Sequence, residues 1–324
     1  MLGFGTYPTP VVCLEQLSAA TCTLWVKRDD LTNAIYGGSK VRKLEPLLRD
    51  AQQRGATRLV TVGTVGSHHV LASGVFGKLT GLHVEAVVLP QPHSAHVIET
   101  LRASIGQGVT VVPALSYAEA TRHLAARSAE GCYPIPAGGS NRLSSLALVT
   151  AVRELAVQVQ TGVLPEPDLI VLPLGSGGTA AGIAAGLVHT GLGSRVLAVA
   201  VAEPVKVFAH KARALAQGLV EPSLRSKVMA RIEVDARYLG EGYGRPTPAS
   251  EHATRAAAGV GLALEATYTA KAFAAALDQI ALGKVRHVLF WHTLSSAPLE
   301  PLLLGAPTEA ELDAAVRRLA HRDR

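Results

Sequence analysis

Aromatic residues are scarce. Phe, Trp and Tyr make up 4% of the 324 residues, too few for the stacking platforms on which single-stranded nucleic acids are held. Cysteine is scarcer still: Cys13, Cys22 and Cys132 are odd in number and show no metal-ligand spacing. That excludes a disulfide framework and suits a reducing compartment. No long Lys/Arg block occurs, and much of the formal charge of +6 sits in Arg317, Arg318, Arg322 and Arg324. The basic balance therefore implies solubility and anionic ligands, not DNA. The apolar stretches are short or broken by Gly, Pro and charge, which excludes a membrane span. The opening residues, Met-Leu-Gly-Phe-Gly-Thr-Tyr-Pro-Thr-Pro, lack the basic-then-apolar order of a signal peptide. The expectation is a cytoplasmic protein without a metal, a nucleic-acid partner or a membrane partner.

What is present describes a globular chain. Hydrophobic content is 48% against 17% charged, enough for two lobes of ordinary size. Short β-branched runs alternate with helical segments: strands at 59–62, 84–89, 109–112, 169–173, 196–201 and 288–291, and helices at 41–53, 70–79, 93–105, 117–129, 144–160 and 269–282. This alternation predicts parallel βαβ units with helices on both faces, an α/β class. Ligands in such folds gather at the carboxyl ends of strands. Those ends carry Gly63-Thr-Val-Gly-Ser67-His68-His69 and Gly175-Ser176-Gly177-Gly178-Thr179.

Lys40 follows Gly37-Gly38-Ser39 and opens a helical run. A helix start and desolvation both lower a lysine pKa, and a free amine is what Schiff-base chemistry with an aldehyde needs. Taken alone, such a lysine is most often a solvated surface charge. The Gly175–Thr179 turn alters that weighting, because successive N–H groups at a helix start form a phosphate cradle. The same turn also fits a dinucleotide fingerprint, Gly175-x-Gly177-x-x-Ala180, with Glu203 as the ribose-binding acid. An NAD(P)-dependent oxidoreductase is therefore the alternative. It leaves Lys40 and Ser67 without a task. An aldehyde-binding lysine plus a separate phosphate cradle points instead to pyridoxal 5′-phosphate.

With these residues in view the chain resembles the fold-type II pyridoxal-phosphate enzymes of the D-cysteine desulfhydrase / 1-aminocyclopropane-1-carboxylate deaminase group. The motifs that carry the resemblance run nearly end to end: Pro8-Thr9-Pro10, Lys27 to Asp30, Gly37 to Glu45, the Ser67 loop, Gly175 to Thr179, Tyr243 to Thr247, Glu265 to Lys271 and His292-Thr293. The resemblance implies a tryptophan synthase β-like fold of two α/β domains with open, twisted, mostly parallel sheets. The larger would combine 1–45 with 160–324 and the smaller would span 46–159. It implies that Lys40 is the Schiff-base lysine and moves the proton at the substrate Cα. Gly175, Ser176, Gly177, Gly178 and Thr179 would bind phosphate, and Thr269 would bond the pyridine nitrogen. Ser67 would act on substrate, and His69, Tyr243 and Tyr268 would face it. The implied reaction on a small amino acid is β-elimination or cyclopropane opening by a homodimer. β-Replacement, or a relative that binds ligand without catalysis, remains open. Two departures stand out: His68 replaces an asparagine that contacts the cofactor's 3-oxygen, and Leu294-Ser295-Ser296 replace glycines after His292-Thr293.

Overall fold

The computed structural model describes residues 3–127 and 131–321. In chain order the strands and helices are β1 (Val11–Cys13), β2 (Thr23–Lys27), α1 (Ser39–Gln53), β3 (Arg58–Thr64), α2 (His68–Leu79), β4 (His83–Leu89), α3 (Ala95–Gly106), β5 (Val109–Pro113), α4 (Tyr117–Ala126), β6 (Cys132–Ile135), α5 (Arg142–Gln160), β7 (Leu169–Leu174), α6 (Gly178–Thr190), β8 (Arg195–Ala200), α7 (Val205–Gln217), α8 (Arg225–Met229), β9 (Ile232–Asp235), α9 (Pro248–Ala258), α10 (Thr269–Leu282), β10 (His287–Trp291) and α11 (Ala314–Ala320). The expected end of the fourth helix at Ala129, and the tail residues Arg322 and Arg324, lie outside the described residues. Among the described residues no helix is long and apolar enough to cross a membrane.

The described residues form two compact units, the first comprising residue 3, 43–140 and 297–321, the second 4–42 and 141–296. Beyond residue 3 and residues 43–45, this partition parts from the expected one at two places. Helix α5 belongs with the second unit because Gly182 and Gly186 of α6 leave room for Ser145, Leu148 and Val152 to pack directly against them. Residues 297–321 belong with the first because Gly106 of α3 abuts Ala306, and Arg102 Nε donates to the Pro307 carbonyl at 2.7 Å.

The first unit carries a four-stranded sheet, β5-β4-β3-β6, parallel throughout. Both faces of a parallel sheet are covered, so its strands read as continuous apolar runs rather than alternating ones; Val84 to Leu89 are buried without interruption.

The second unit carries a six-stranded sheet, β1-β2-β10-β7-β8-β9, parallel except for the β1–β2 edge pair. Successive side chains point to opposite faces. Ile170, Leu172, Leu174 and Trp291 thus join α5 and α6 in one core, while Leu169, Val171, Val288 and Phe290 join α9 and α10 in another. The expected α/β architecture with helices on both faces is borne out. Each core residue contributes about 1.5–3 kcal/mol when buried, so both flanking layers are firmly attached.

Candidate active site

In the second unit, Lys40 lies in the first turn of α1, and the backbone before it is sterically specified. Gly38 has φ +88, and a Cβ there would lie 2.6 Å from the Thr293 carbonyl. A side chain on Gly37 would strike the Asp30 carbonyl. The segment is clasped from several sides: Gly38 N–H donates to Asp29 O (2.9 Å), Ser39 N–H to Thr293 O (3.1 Å) and Gly37 N–H to Ser295 Oγ (2.8 Å). Lys40 keeps part of its surface exposed. Burial nevertheless pushes its amine down to about 8, a shift only partly offset by the Glu265 carboxylate. A free amine is thereby accessible near neutral pH.

At the end of β7, Gly175 to Gly177 turn into α6. Gly177 is the N-cap at φ +89 with no side-chain capping bond. A Cβ there would lie 3.0 Å from Ala212 Cα, and one on Gly175 3.1 Å from the Tyr268 ring. The first N–H groups of α6 have no partner within the helix, and with the helix dipole they favour an anion. Ser176 is partly exposed and Thr179 is buried in the first turn. Glu203 lies beyond the end of β8 and is exposed.

Tyr243 and Tyr268 meet edge to face, with their hydroxyls 2.6 Å apart. Tyr268 precedes α10, whose start is capped by Glu265: its carboxylate accepts from the N–H groups of Thr267 (2.7 Å), Tyr268 (2.8 Å) and Thr269 (2.8 Å). Thr269 Oγ1 accepts from Glu265 N–H at 2.9 Å, while its own proton has only long contacts to Glu265 O (3.4 Å) and Oε1 (3.3 Å). Its acceptor side is satisfied and its donor side poorly so. His292 is fully buried, and burial lowers its pKa against the pull of Asp30, which keeps it neutral. Lys271, also lowered to about 8 by burial, donates to the carbonyls of Leu239 (2.7 Å) and Gly242 (2.8 Å), next to Tyr243.

In the first unit, Ser67 caps α2 at the end of β3, accepting from Val70 N–H at 3.4 Å. His68 Nε2 lies 3.2 Å from His96 Nε2. His69 is buried, with Nε2 2.9 Å from Thr61 Oγ1. Thr61 donates its own proton to Ile135 O at 3.0 Å, so His69 is the donor to Thr61 and carries its proton on Nε2.

The structure therefore brings Lys40, the Gly175 turn, Tyr243, Tyr268 and Thr269 into one unit, and Ser67, His68 and His69 into the other. Sequence reasoning had no role for Glu265, Lys271 or His96. For Glu265 a signal existed, an acid four residues before the first turn of an apolar helical run. For the other two, only spatial neighbours reveal a task.

The donor set fits pyridoxal phosphate. A depressed lysine amine suits the aldehyde, and the uncapped glycine turn suits the phosphate. Ser39 Oγ, beside Lys40, is wholly buried with no hydrogen-bond partner among the described residues. Residues 3–293 match the family described as pyridoxal-phosphate dependent enzyme, and the chain belongs to it. It is 35% identical over 300 residues to nocardicin C-9′ epimerase of Nocardia uniformis subsp. tsuyamanensis, covering 88% of this chain and 90% of that one. It is 34% identical over 302 residues to D-cysteine desulfhydrase of Klebsiella pneumoniae (strain 342), covering 88% and 91%. The crystal structure of an ACC deaminase homologue superposes with a TM-score of 0.75 at 28% identity, covering 93% of this chain and 95% of that one. The resemblance read from the motifs is borne out, with the fold and the cofactor. The nicotinamide alternative gains nothing from these comparisons.

Proposed function

We propose that this enzyme removes the Cα proton of a small amino acid and then expels a β-substituent or opens a cyclopropane ring, releasing a keto acid and ammonia. The observation that carries the reading is the Lys40 amine, lowered to about 8 by burial and held behind a sterically fixed Gly-Gly-Ser approach. When bound, pyridoxal phosphate supplies the electron sink for charge at Cα. Lys40 is assigned the cofactor aldehyde and the Cα proton, and the N–H groups after Gly175, with Ser176 and Thr179, the phosphate. Thr269 Oγ1, with its proton weakly engaged, is assigned to donate to the pyridine nitrogen. A hydroxyl there leaves that nitrogen unprotonated, which moderates the sink and favours elimination over transamination. Tyr243 and Tyr268, whose hydroxyls lie 2.6 Å apart, are assigned to face the substrate, as the resemblance implies. Ser67 and His69 are assigned to substrate and His68 to the cofactor's 3-oxygen. Their support is the resemblance and their position where β3 passes into α2.

The test is reductive trapping followed by a substrate panel. Borohydride should fix the cofactor to Lys40 and bleach its visible band, and Lys40→Ala should lack that band. D- and L-β-substituted amino acids and the cyclopropane amino acid are then assayed for keto acid and ammonia. A band that survives in Lys40→Ala refutes the assignment. The epimerase relative supports a second reading, in which the Cα proton returns on the opposite face. Solvent deuterium entering Cα without keto acid would select it, and capture of an added nucleophile would select β-replacement. The cytoplasmic location and the homodimer belong to this proposal. Three cysteines without a disulfide support the former, and sedimentation tests the latter.

A further inference from the structure

Far along the chain from one another, His93, Glu309 and His321 converge in the first unit. Their potential ligand atoms, one per residue, all lie within 4.8 Å of one another. His321 Nε2 is 3.0 Å from Glu309 Oε1, and the His93 and His321 rings stack with centroids 4.5 Å apart. We propose that these three residues form a binding site for one zinc-class transition-metal dication, held by two imidazoles and one carboxylate.

The donor chemistry selects the ion. Imidazole suits zinc, copper and nickel, whereas calcium and magnesium demand oxygen shells that this cluster lacks. Metal–nitrogen and metal–oxygen bonds of about 2.0–2.2 Å place donors around a tetrahedral ion roughly 3.4 Å apart. The Glu309–His321 pair already has nearly that spacing. Closing the third corner requires His93 to turn out of its stack, which its exposed position permits.

The backbone beneath the three side chains is already tied together. Gln91 N–H donates to the Leu319 carbonyl at 3.4 Å, which sets the segment of His93 beside α11, whose C-cap is His321. Arg102 of α3 holds the Pro307 carbonyl at 2.7 Å, and Gln107 Nε2 reaches the Leu302 carbonyl at 3.3 Å. Thr308 and Glu311 close a capping box around the turn that begins at Glu309. Only exposed side chains must move to ligate, so little ordering entropy opposes binding. Three protein ligands leave the fourth position open to water. The ion would fasten the end of α11 to the loop after β4, and an ion bound by the native state alone raises its thermal midpoint.

Cofactor-loaded protein, freed of metal by a chelator, is dialysed against zinc chloride. The wild-type chain is compared with His93→Ala, Glu309→Gln and His321→Ala. One saturable zinc per chain is expected, with affinity lowered by at least about tenfold in each histidine variant. The thermal midpoint should rise with zinc in the wild type only. Copper(II) in place of zinc should show two nitrogen donors by electron paramagnetic resonance, and one in each histidine variant. Each variant's visible cofactor band reports that it is folded. Equal zinc binding by folded variants overturns the proposal, as does the absence of saturable binding by the wild type.

Discussion

Replacing Asp29 by Asn tests what holds Lys40 in place. Asp29 is fully buried, and its carboxylate receives four donors: Arg42 Nη2 (2.7 Å), Arg42 Nε (2.9 Å), Trp291 Nε1 (2.7 Å) and Thr9 Oγ1 (2.9 Å). Arg42 also reaches Glu154 at 3.1 Å, and buried Lys27 pairs with Glu154 and donates to Gln158 Oε1 at 2.9 Å. Two cations and two anions thus balance inside the second unit. An amide cannot accept at both positions, so its NH2 group would confront donors while Arg42 lost its bidentate partner. Breaking a buried pair from one side costs about 3–5 kcal/mol. Because Glu154 still faces Arg42, a value near the lower end, about 3 kcal/mol, is expected.

Both tryptophans, Trp25 and Trp291, lie in strands of the second unit's sheet. Urea unfolding followed by their emission therefore reports this unit. The Asp29 carbonyl accepts from Gly38 N–H, so cofactor affinity, read from the visible band, should fall with stability. The double variant Asp29→Asn/Arg42→Met should lose less than the two single losses combined, since it leaves no unpaired cation behind. Burial raises the Asp29 pKa, but Arg42, Trp291 and Lys27 outweigh it, and the net shift is downward. A carboxylate depressed in the folded state stabilises above its unfolded pKa, and that contribution disappears as pH falls through the folded value. The penalty should therefore shrink below the usual carboxylate range. A single variant within about 1 kcal/mol of wild type at neutral pH, or strictly additive losses, would refute the argument.

Two further outcomes follow from the same geometry. Uptake of pyridoxal phosphate by the cofactor-free protein should speed up with rising pH and level off above about 8, because the folded-state Lys40 pKa is lowered to that value; stopped-flow absorbance measures it, and a rate still climbing well beyond that plateau would contradict a buried amine. Gly177→Ala places a side chain at φ +89 and 3.0 Å from Ala212 Cα, a conformation that alone costs about 1–2 kcal/mol. Equilibrium dialysis should show weaker pyridoxal phosphate binding, with phosphate-free pyridoxal hardly affected.

The fold was legible where strands are buried runs and helices have clear ends. Thr269–Leu282 is both the expected and the observed helix, because Gly283 stops it in a left-handed cap. Val84–Leu89 reads as a strand because both of its faces are covered. Strand β6 escaped detection because it has four residues and contains Pro134, which is tolerated at a sheet edge. Helix α7 ends at Gly218, and a short 3-10 turn opening on Pro222 separates it from α8. Lys40 and the Gly175 turn were legible because each motif is contiguous. The buried charges of Lys27, Asp29, Arg42 and Glu154 were not, because their pairing depends on folding 127 residues of sequence separation back on itself. Arg42 is only 3% exposed. Lys43 is 2% exposed and donates to Ser140 Oγ at 3.1 Å.

The departures from the group's usual pattern bear on whether catalysis has been lost. Glycines after His292-Thr293 would leave permissive backbone there, but here Ser295 Oγ accepts from Gly37 N–H and Ser296 donates to Asp30. Asp30 in turn holds Arg28 through Nε (2.9 Å) and Nη2 (2.8 Å). The replacement serines thus add bonds to the segment that presents Lys40, instead of removing support from it. The lowered Lys40 pKa depends on the same enclosure. The added bonds around the lysine segment, together with the lowered Lys40 amine, therefore favour a working enzyme over a binding-only relative.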